Sequence, residues 1–138
     1  KLNSMKKYFL VVNLLLFSIF SLAQNNEKSI PEKLVQQQLI AYNTRNIDAF
    51  LEPYSDDVEL YMFPNQLLGK GKDFMRKDYA EMFKNTPNLH CDIKNRTVLG
   101  NTVIDHEVVS GFGPNHLETI AIYEIKNDKI TKVYFIQK

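Results

Sequence analysis

From Ser29 to Thr44 the apolar residues recur at intervals of three and four. Val35, Leu39 and Tyr42 form one stripe, with Leu34, Gln38 and Ala41 beside it, the spacing of a helix that buries one face. Its start is written in Ser29-Ile30-Pro31-Glu32: Ser29 can cap, Pro31 suits the first turn, and Glu32 completes a Ser-x-x-Glu capping box. Gln38 is thus a polar side chain next to an apolar stripe. A second, short helix is predicted after Asn46, with Ile47, Phe50, Leu51 and Tyr54 spaced for burial and Pro53 ending it. VELYMF, opened by Asp56 and Asp57, reads as a strand that Pro64 stops. Gly69-Lys70-Gly71-Lys72 leads into a third helix carrying Met75, Tyr79, Met82 and Phe83 on one face, and Thr86-Pro87-Asn88 closes it. The remainder reads as strands over Leu89 to Leu99, Thr102 to Phe112, His116 to Lys126 and Lys129 to Ile136. They are divided by Gly100-Asn101, Gly113-Pro114-Asn115 and Asn127-Asp128.

That order, with strands gathered after helices, predicts an α+β fold: a cone-shaped, strongly curved antiparallel sheet with three helices packed on its concave side. Such a cone can hold a small molecule.

Composition narrows the picture. The chain has 138 residues, 44% hydrophobic and 24% charged, which suits one globular domain. Met5-Lys6-Lys7, the apolar run YFLVVNLLLFSIFSLAQ, and small residues at Ser21 and Ala23 have the parts of a secretory signal. Residues 1–23 are therefore read as a signal peptide cleaved after Ala23, with 1–4 upstream of the start, 24–30 as a short linker and 31–138 as the domain. The run from Tyr8 to Leu22 is interrupted by Asn13 and is shorter than the ~20 residues a spanning helix needs. An exported protein, periplasmic or secreted and with no membrane association after cleavage, is expected. Residues 1–23 carry Lys1, Lys6 and Lys7 and no acid, which leaves 14 basic against 16 acidic side chains in the rest. The basic excess belongs to the leader, and with no Lys/Arg run elsewhere a nucleic-acid partner is not expected. Cys91 is the only cysteine. It excludes an internal disulfide and reads as a small buried hydrophobe.

The segments YNTRNIDAFLEPYSDDVELYMFP, GKGKDFMRKDYAEMF and GNTVIDHEVV resemble the nuclear transport factor 2-like superfamily, and within it the SnoaL-like and ketosteroid-isomerase-like bacterial proteins. The resemblance covers nearly all of residues 31–138. It implies the cone fold, a homodimer, and a pocket at the open end of the cone. Function does not follow from it, because that superfamily contains isomerases, cyclases, dehydratases and non-enzymatic modules. By the same resemblance, the ketosteroid isomerases' enolate-stabilising tyrosine would fall on Gln38, their aspartate base on Met62, and their protonated aspartate near Ala121. Met62 cannot take a proton and Ala121 cannot donate one, so that mechanism is rejected.

Asp105, His106 and Glu107 stand together in VIDHEVV. If Gly100-Asn101 is a two-residue hairpin turn, Leu99 faces Thr102, Arg96 faces Asp105 and Lys94 faces Glu107. The two charge pairs would form a cross-strand ladder on the outer face, each pair contributing roughly 0.2–1 kcal/mol. Strand alternation then turns His106 to the other face, opposite Asn95, so the three cannot converge on one ion or proton. By the ketosteroid-isomerase register the His106 face is the concave one. His106 is there either a core histidine satisfied by Asn95 or Gln38, or a neutral imidazole of ordinary pKa about 6.5 able to serve as acid/base or ligand partner. A one-residue slip would reverse the faces and put Asp105 and Glu107 inside.

His90, His106 and His116 show no short ligand spacing, so no metal is expected. No cofactor motif and no Gly-x-Ser-x-Gly elbow is present, and Gly69 to Lys72 lacks the spacing of a phosphate loop. Tyr42, Tyr61, Tyr79 and Tyr123 could supply an aromatic, hydrogen-bonding lining. The expected pocket is made of Gln38, Tyr42, Met62, Asn95, His106, Ala121 and Tyr123, for a small apolar molecule with few polar atoms. The alternatives are a cofactor-independent isomerase, cyclase or dehydratase using His106, or an interaction domain without a ligand.

Overall fold

The computed structural model describes residues 27–137, and the predicted signal peptide lies outside them. Helix α1 spans Ile30–Asn43, with Ser29 accepting a hydrogen bond from the Glu32 N–H at 3.4 Å. It buries Val35, Gln38, Leu39 and Ala41. Asn46 accepts from the Ala49 N–H at 3.1 Å and caps α2, Ile47–Leu51. The strands are β1 Tyr54–Met62, β2 Gln66–Lys70, β3 His90–Leu99, β4 Thr102–Ser110, β5 Leu117–Lys126 and β6 Lys129–Gln137, with α3, Gly71–Asn85, between β2 and β3. No helix among the described residues is long and apolar enough to cross a membrane.

The six strands form one curved, unclosed sheet in the order β2-β1-β6-β5-β4-β3. All neighbours are antiparallel except β1 and β6, which run parallel. The parallel pair arises because the last strand returns to the middle of the sheet and completes it between β1 and β5. β2 was not foreseen: Gln-Leu-Leu-Gly-Lys has neither alternation nor β-branched residues, and only pairing with β1 makes it a strand. Lys70 ends it, bonded to Glu59 at 2.9 Å, and Lys72 reaches Asp56 at 3.1 Å, so both lysines of that loop are paired surface groups.

Curvature follows from irregularities in the ladders. Registers shift at Leu60/Tyr61, at Ile93/Asn95 and at Glu124/Ile125, and each such bulge bends and twists its strand. The bent sheet wraps Val58, Leu60, Val103, Val109, Tyr123, Ile130 and Val133 around Val35, Leu39, Phe50, Met75 and Phe83 from the helices. Asn43, at the end of α1, fastens helix to sheet. Its amide donates to the Cys91 carbonyl at 3.0 Å and accepts the Cys91 N–H at 2.8 Å.

The β3–β4 hairpin has the predicted turn. Leu99 pairs with Thr102, Arg96 with Asp105 and Asn95 with His106. Beyond that point the bulge leaves Lys94 without an opposite residue and sets Ile93 against Glu107. The predicted Lys94–Glu107 pair is therefore absent. The face is also the reverse of the prediction: Asp105 is 0% exposed and Glu107 6%, both on the helix-covered side with Val103 and Val109. His106 shares the outer side with Ile104, which is 37% exposed.

Candidate functional site

The helices do not fill the cone. A cavity of about 230 Å³ remains between α1, α3 and the inner face of the sheet. Leu39, Phe50, Met62, Met82, Val109 and Phe135 make its apolar walls. Its polar groups are Gln38, Tyr42, Tyr54, Tyr79, Glu107 and Tyr123, with Thr119 and Gln137 beside them.

Three of these form a directed chain that ends on the carboxyl of Glu107. The Tyr54 hydroxyl donates to Gln38 Oε1 at 3.3 Å, Gln38 Nε2 donates to Tyr123 Oη at 3.2 Å, and the Tyr123 hydroxyl donates to Glu107 Oε1 at 2.8 Å. Gln38 stands where the helix stripe turns inward, which explains a buried amide beside Val35 and Leu39. Tyr123 reaches Glu107 although its own cross-strand partner is Val103 and that of Glu107 is Thr119. Ala121 lies between them along β5, and its small side chain leaves room for the tyrosine ring.

Burial pushes the Glu107 carboxyl up to about 7, a rise that Tyr123's hydrogen bond opposes and the neighbouring Asp105 charge reinforces. A carboxyl so poised is populated in both forms near neutral pH, the condition for giving and taking protons. Burial also raises Tyr42, Tyr54, Tyr79 and Tyr123 above the ordinary tyrosine value. These hydroxyls stay protonated and act as neutral donors. Cys91, also on the cavity wall, is raised by burial and then by the Glu107 charge, so it is no nucleophile.

Asp105 has a different role. Arg96 holds it in a two-pronged pair, Nε to Oδ1 at 2.7 Å and Nη2 to Oδ2 at 2.6 Å, and Arg96 Nη1 donates to Gln36 Oε1 at 2.9 Å. The pair is enclosed, with side-chain exposures of 12% and 0%. All the hydrogen-bonding power of this carboxylate is directed at one arginine, two residues along β4 from Glu107.

Of the residues expected to make the pocket, the structure brings Gln38, Tyr42, Met62 and Tyr123 together. Ala121 is on the inner face but sealed in the core, opposite Asp105. Asn95 is on the outer surface, its amide on Thr97 Oγ1 at 3.4 Å. His106 is also outside, with Nε2 2.6 Å from Glu118 Oε1; it opens into no part of the cavity, which corrects its assignment as the acid/base candidate. Tyr61 is a further correction, since it stacks on Tyr134 at 5.2 Å instead of lining the pocket. Among the described residues no three His, Cys, Asp or Glu side chains converge as a metal would require.

Glu107 is the candidate group whose side chain the sequence orients the wrong way. The apolar residues of β4 fall equally on both faces, Val103 and Val109 on one and Ile104 and Val108 on the other. Only the β4–β5 register, in which Asp105 meets Ala121, identifies the inner side. His106→Ala is accordingly expected to change stability by no more than about 0.5 kcal/mol and to leave chemistry in the cavity untouched. Thermal unfolding together with any cavity-based assay checks this, and a large loss in either would restore His106 as a site residue.

A family profile described as SnoaL-like domain matches residues 35–133. No curated protein matches the chain. Among solved structures, an uncharacterised cystatin-fold protein of Novosphingobium aromaticivorans is similar with 24% identity and a TM-score of 0.72, over 80% of this chain and 99% of that one. An NTF2-like protein of unknown function from Cytophaga hutchinsonii has 16% identity and a TM-score of 0.68, over 83% and 95%. A protein of Jannaschia described as a candidate SnoaL-like polyketide cyclase has 13% identity and a TM-score of 0.65, over 81% and 88%. At these identities the likeness is one of fold.

Proposed function

The chain belongs to the SnoaL-like domain family, with the nuclear transport factor 2-like fold, and from that premise we propose that its cavity takes a small, largely apolar molecule and moves a proton on it without a cofactor. The observation that carries this reading is Glu107: a carboxyl poised near pH 7 on the wall of a largely apolar cavity, held in place by Tyr123.

The chemistry follows from the arrangement. Ionised Glu107 accepts a proton from a carbon or hydroxyl of the bound molecule, and the neutral acid returns it elsewhere. Tyr42 and Tyr79, protonated throughout, are placed to donate to an oxygen on which negative charge develops. About 230 Å³ corresponds to roughly eight waters at ~30 Å³ each, so the occupant is the size of one or two fused rings with one or two polar atoms. The acid/base of an isomerase, cyclase or dehydratase passes in this reading from His106 to Glu107. Export remains part of the proposal on the strength of the basic-then-apolar leader. So does a homodimer, for which Ile104 and Ile136, 37% and 41% exposed on the outer face, offer an apolar contact.

The test uses a panel of one- and two-ring ketones and deuterium exchange at their acidic C–H positions, followed by proton NMR. Acceleration should rise with pH through an apparent pKa near 7, and Glu107→Gln should reduce it about 10²- to 10⁴-fold. In parallel, native mass spectrometry of protein purified from its own host reads dimer mass and any retained molecule. A retained molecule with no exchange on any ketone would assign the domain to binding alone. An empty monomer without exchange would remove the whole reading.

A further inference from the structure

The mouth of the cavity is ringed by residues 62–69, 109–117 and 134–137. Phe63 N–H donates to the Phe135 carbonyl at 2.9 Å, which sets the β1–β2 turn beside the end of β6. Leu117 pairs with Val109, which places the intervening loop at the same end. These 21 residues contain no Asp, Glu, Lys or Arg, although 24% of the chain is charged and about five would be ordinary for a surface of this size. Instead they expose Phe63 at 54%, Phe112 at 53%, Leu67 at 52%, Leu68 at 41% and Leu117 at 36%, while Ile136 faces the outer side with His106. Leu68, Phe112 and Leu117 also line the cavity, beside Thr119 and Gln137, so apolar side chains continue from the interior onto the rim.

The shape of the rim selects its partner. Phe112 stands between Gly111 and Gly113, both in the left-handed region at φ +107° and +128°, and Phe63 precedes the Pro64-Asn65 turn. They are two separate knobs on loop tips flanking an opening, not one flat patch. A stable protein interface needs about 800 Å² per partner, whereas these five apolar side chains stand on separate segments of the chain. A fluid apolar layer requires no shape match and no opposite charge.

We propose that this rim docks on the surface of a lipid bilayer, with Phe63 and Phe112 inserted at the boundary between headgroups and acyl chains. The cavity then opens onto lipid, and an apolar molecule enters it without crossing water. Attachment rests on apolar burial and not on attraction to anionic lipid, so it is insensitive to salt. This differs from the expectation that the folded domain has no membrane association, and it stands or falls independently of proton transfer at Glu107.

The chain contains no Trp, so one introduced indole reports on one place. In full-length Phe112→Trp, added vesicles of neutral phosphatidylcholine should shift the emission to the blue, and lipids brominated near the headgroup should quench it, in low and high salt alike. Leu99→Trp, at a turn position 82% exposed at the far end of β3, should show neither effect. Adding Phe63→Ser to Phe112→Trp should weaken vesicle partitioning about tenfold. Adding Glu107→Gln should leave the shift unchanged. An indole that stays wet while the protein floats with vesicles would assign binding to the leader and overturn the proposal. A shift seen only with anionic vesicles and lost in salt would overturn it as well. A shift that grows with protein concentration in the absence of lipid would overturn it in favour of a second copy on the rim.

Discussion

At pH 8, Glu107→Gln is expected to be more stable than the natural chain, by on the order of 3 kcal/mol, while losing its proton chemistry. The Glu107 carboxyl titrates near 7 in the folded protein against an ordinary value of 4.5. Below pH 4.5 the group is neutral in both states and costs nothing. Between 4.5 and 7 the unfolded chain ionises and the folded one does not, so folding loses stability as pH rises. Above 7 the loss is complete, and a shift of this size corresponds to about 3 kcal/mol at ~1.4 kcal/mol per unit. Glutamine has nearly the same shape, keeps a carbonyl to accept the Tyr123 hydroxyl, and carries no charge. Urea unfolding at pH 4.5, 6, 7 and 8 measures the effect: the variant's advantage should be absent at the first and full at the last. A difference that is the same at all four values would mean that Glu107 is not held near neutrality, and the acid/base assignment would lose its basis.

Arg96→Met should unfold the protein more readily by about 3–5 kcal/mol, because it leaves the fully enclosed Asp105 without a counter-charge. That is a large share of the ~5–15 kcal/mol total typical of a domain. Removing both charges, as Arg96→Met with Asp105→Leu, should recover most of the loss, since two apolar side chains replace the pair in the same space. Equilibrium denaturation of the two single variants and the double variant closes the cycle. A single-variant cost below about 1 kcal/mol would show that the pair is solvated and that β4 faces the other way. Arg96 also restrains the rise at Glu107, so the pH midpoint of the surviving Arg96 variant should move up.

Much of the architecture was legible because it depends on neighbours along the chain. Ser29 and Asn46 bond the amides three residues on, as their positions imply. Gly100-Asn101 reverses the chain where a Gly-first turn should, and it sets Arg96 opposite Asp105. The resemblance drawn from the Asn46 to Tyr54 segment and the Asp-Asp pair pointed to the family that the profile over residues 35–133 then matched. Gln38 and Tyr42 are legible as inward from the apolar stripe of α1, with the family register adding Gln38, and Tyr123 enters only as one of four tyrosines able to line a pocket.

What failed did so at points where distant chain segments decide. The bulge that leaves Lys94 unpaired belongs to the bending of the whole sheet, and nothing in Ile93-Lys94-Asn95 announces it. β2 exists through its partner alone. The orientation of β4 was the costly case: Val103, Asp105, Glu107 and Val109 alternate with Ile104, His106, Val108 and Ser110, and each set is half apolar. By residue type a histidine is the more obvious acid/base near neutrality, while a glutamate becomes one only after burial.

By itself, then, the sequence determined the helices, the hairpin turn and the pairing of Arg96 with Asp105, because caps, turns and cross-strand neighbours act over a few residues. Which side of β4 looks inward was left to the tertiary structure. That choice is made by the β4–β5 register across residues 111–116 and by the helices that cover one face. With it came the desolvation of Glu107, its meeting with Tyr123, and the retreat of His106 to the outer surface.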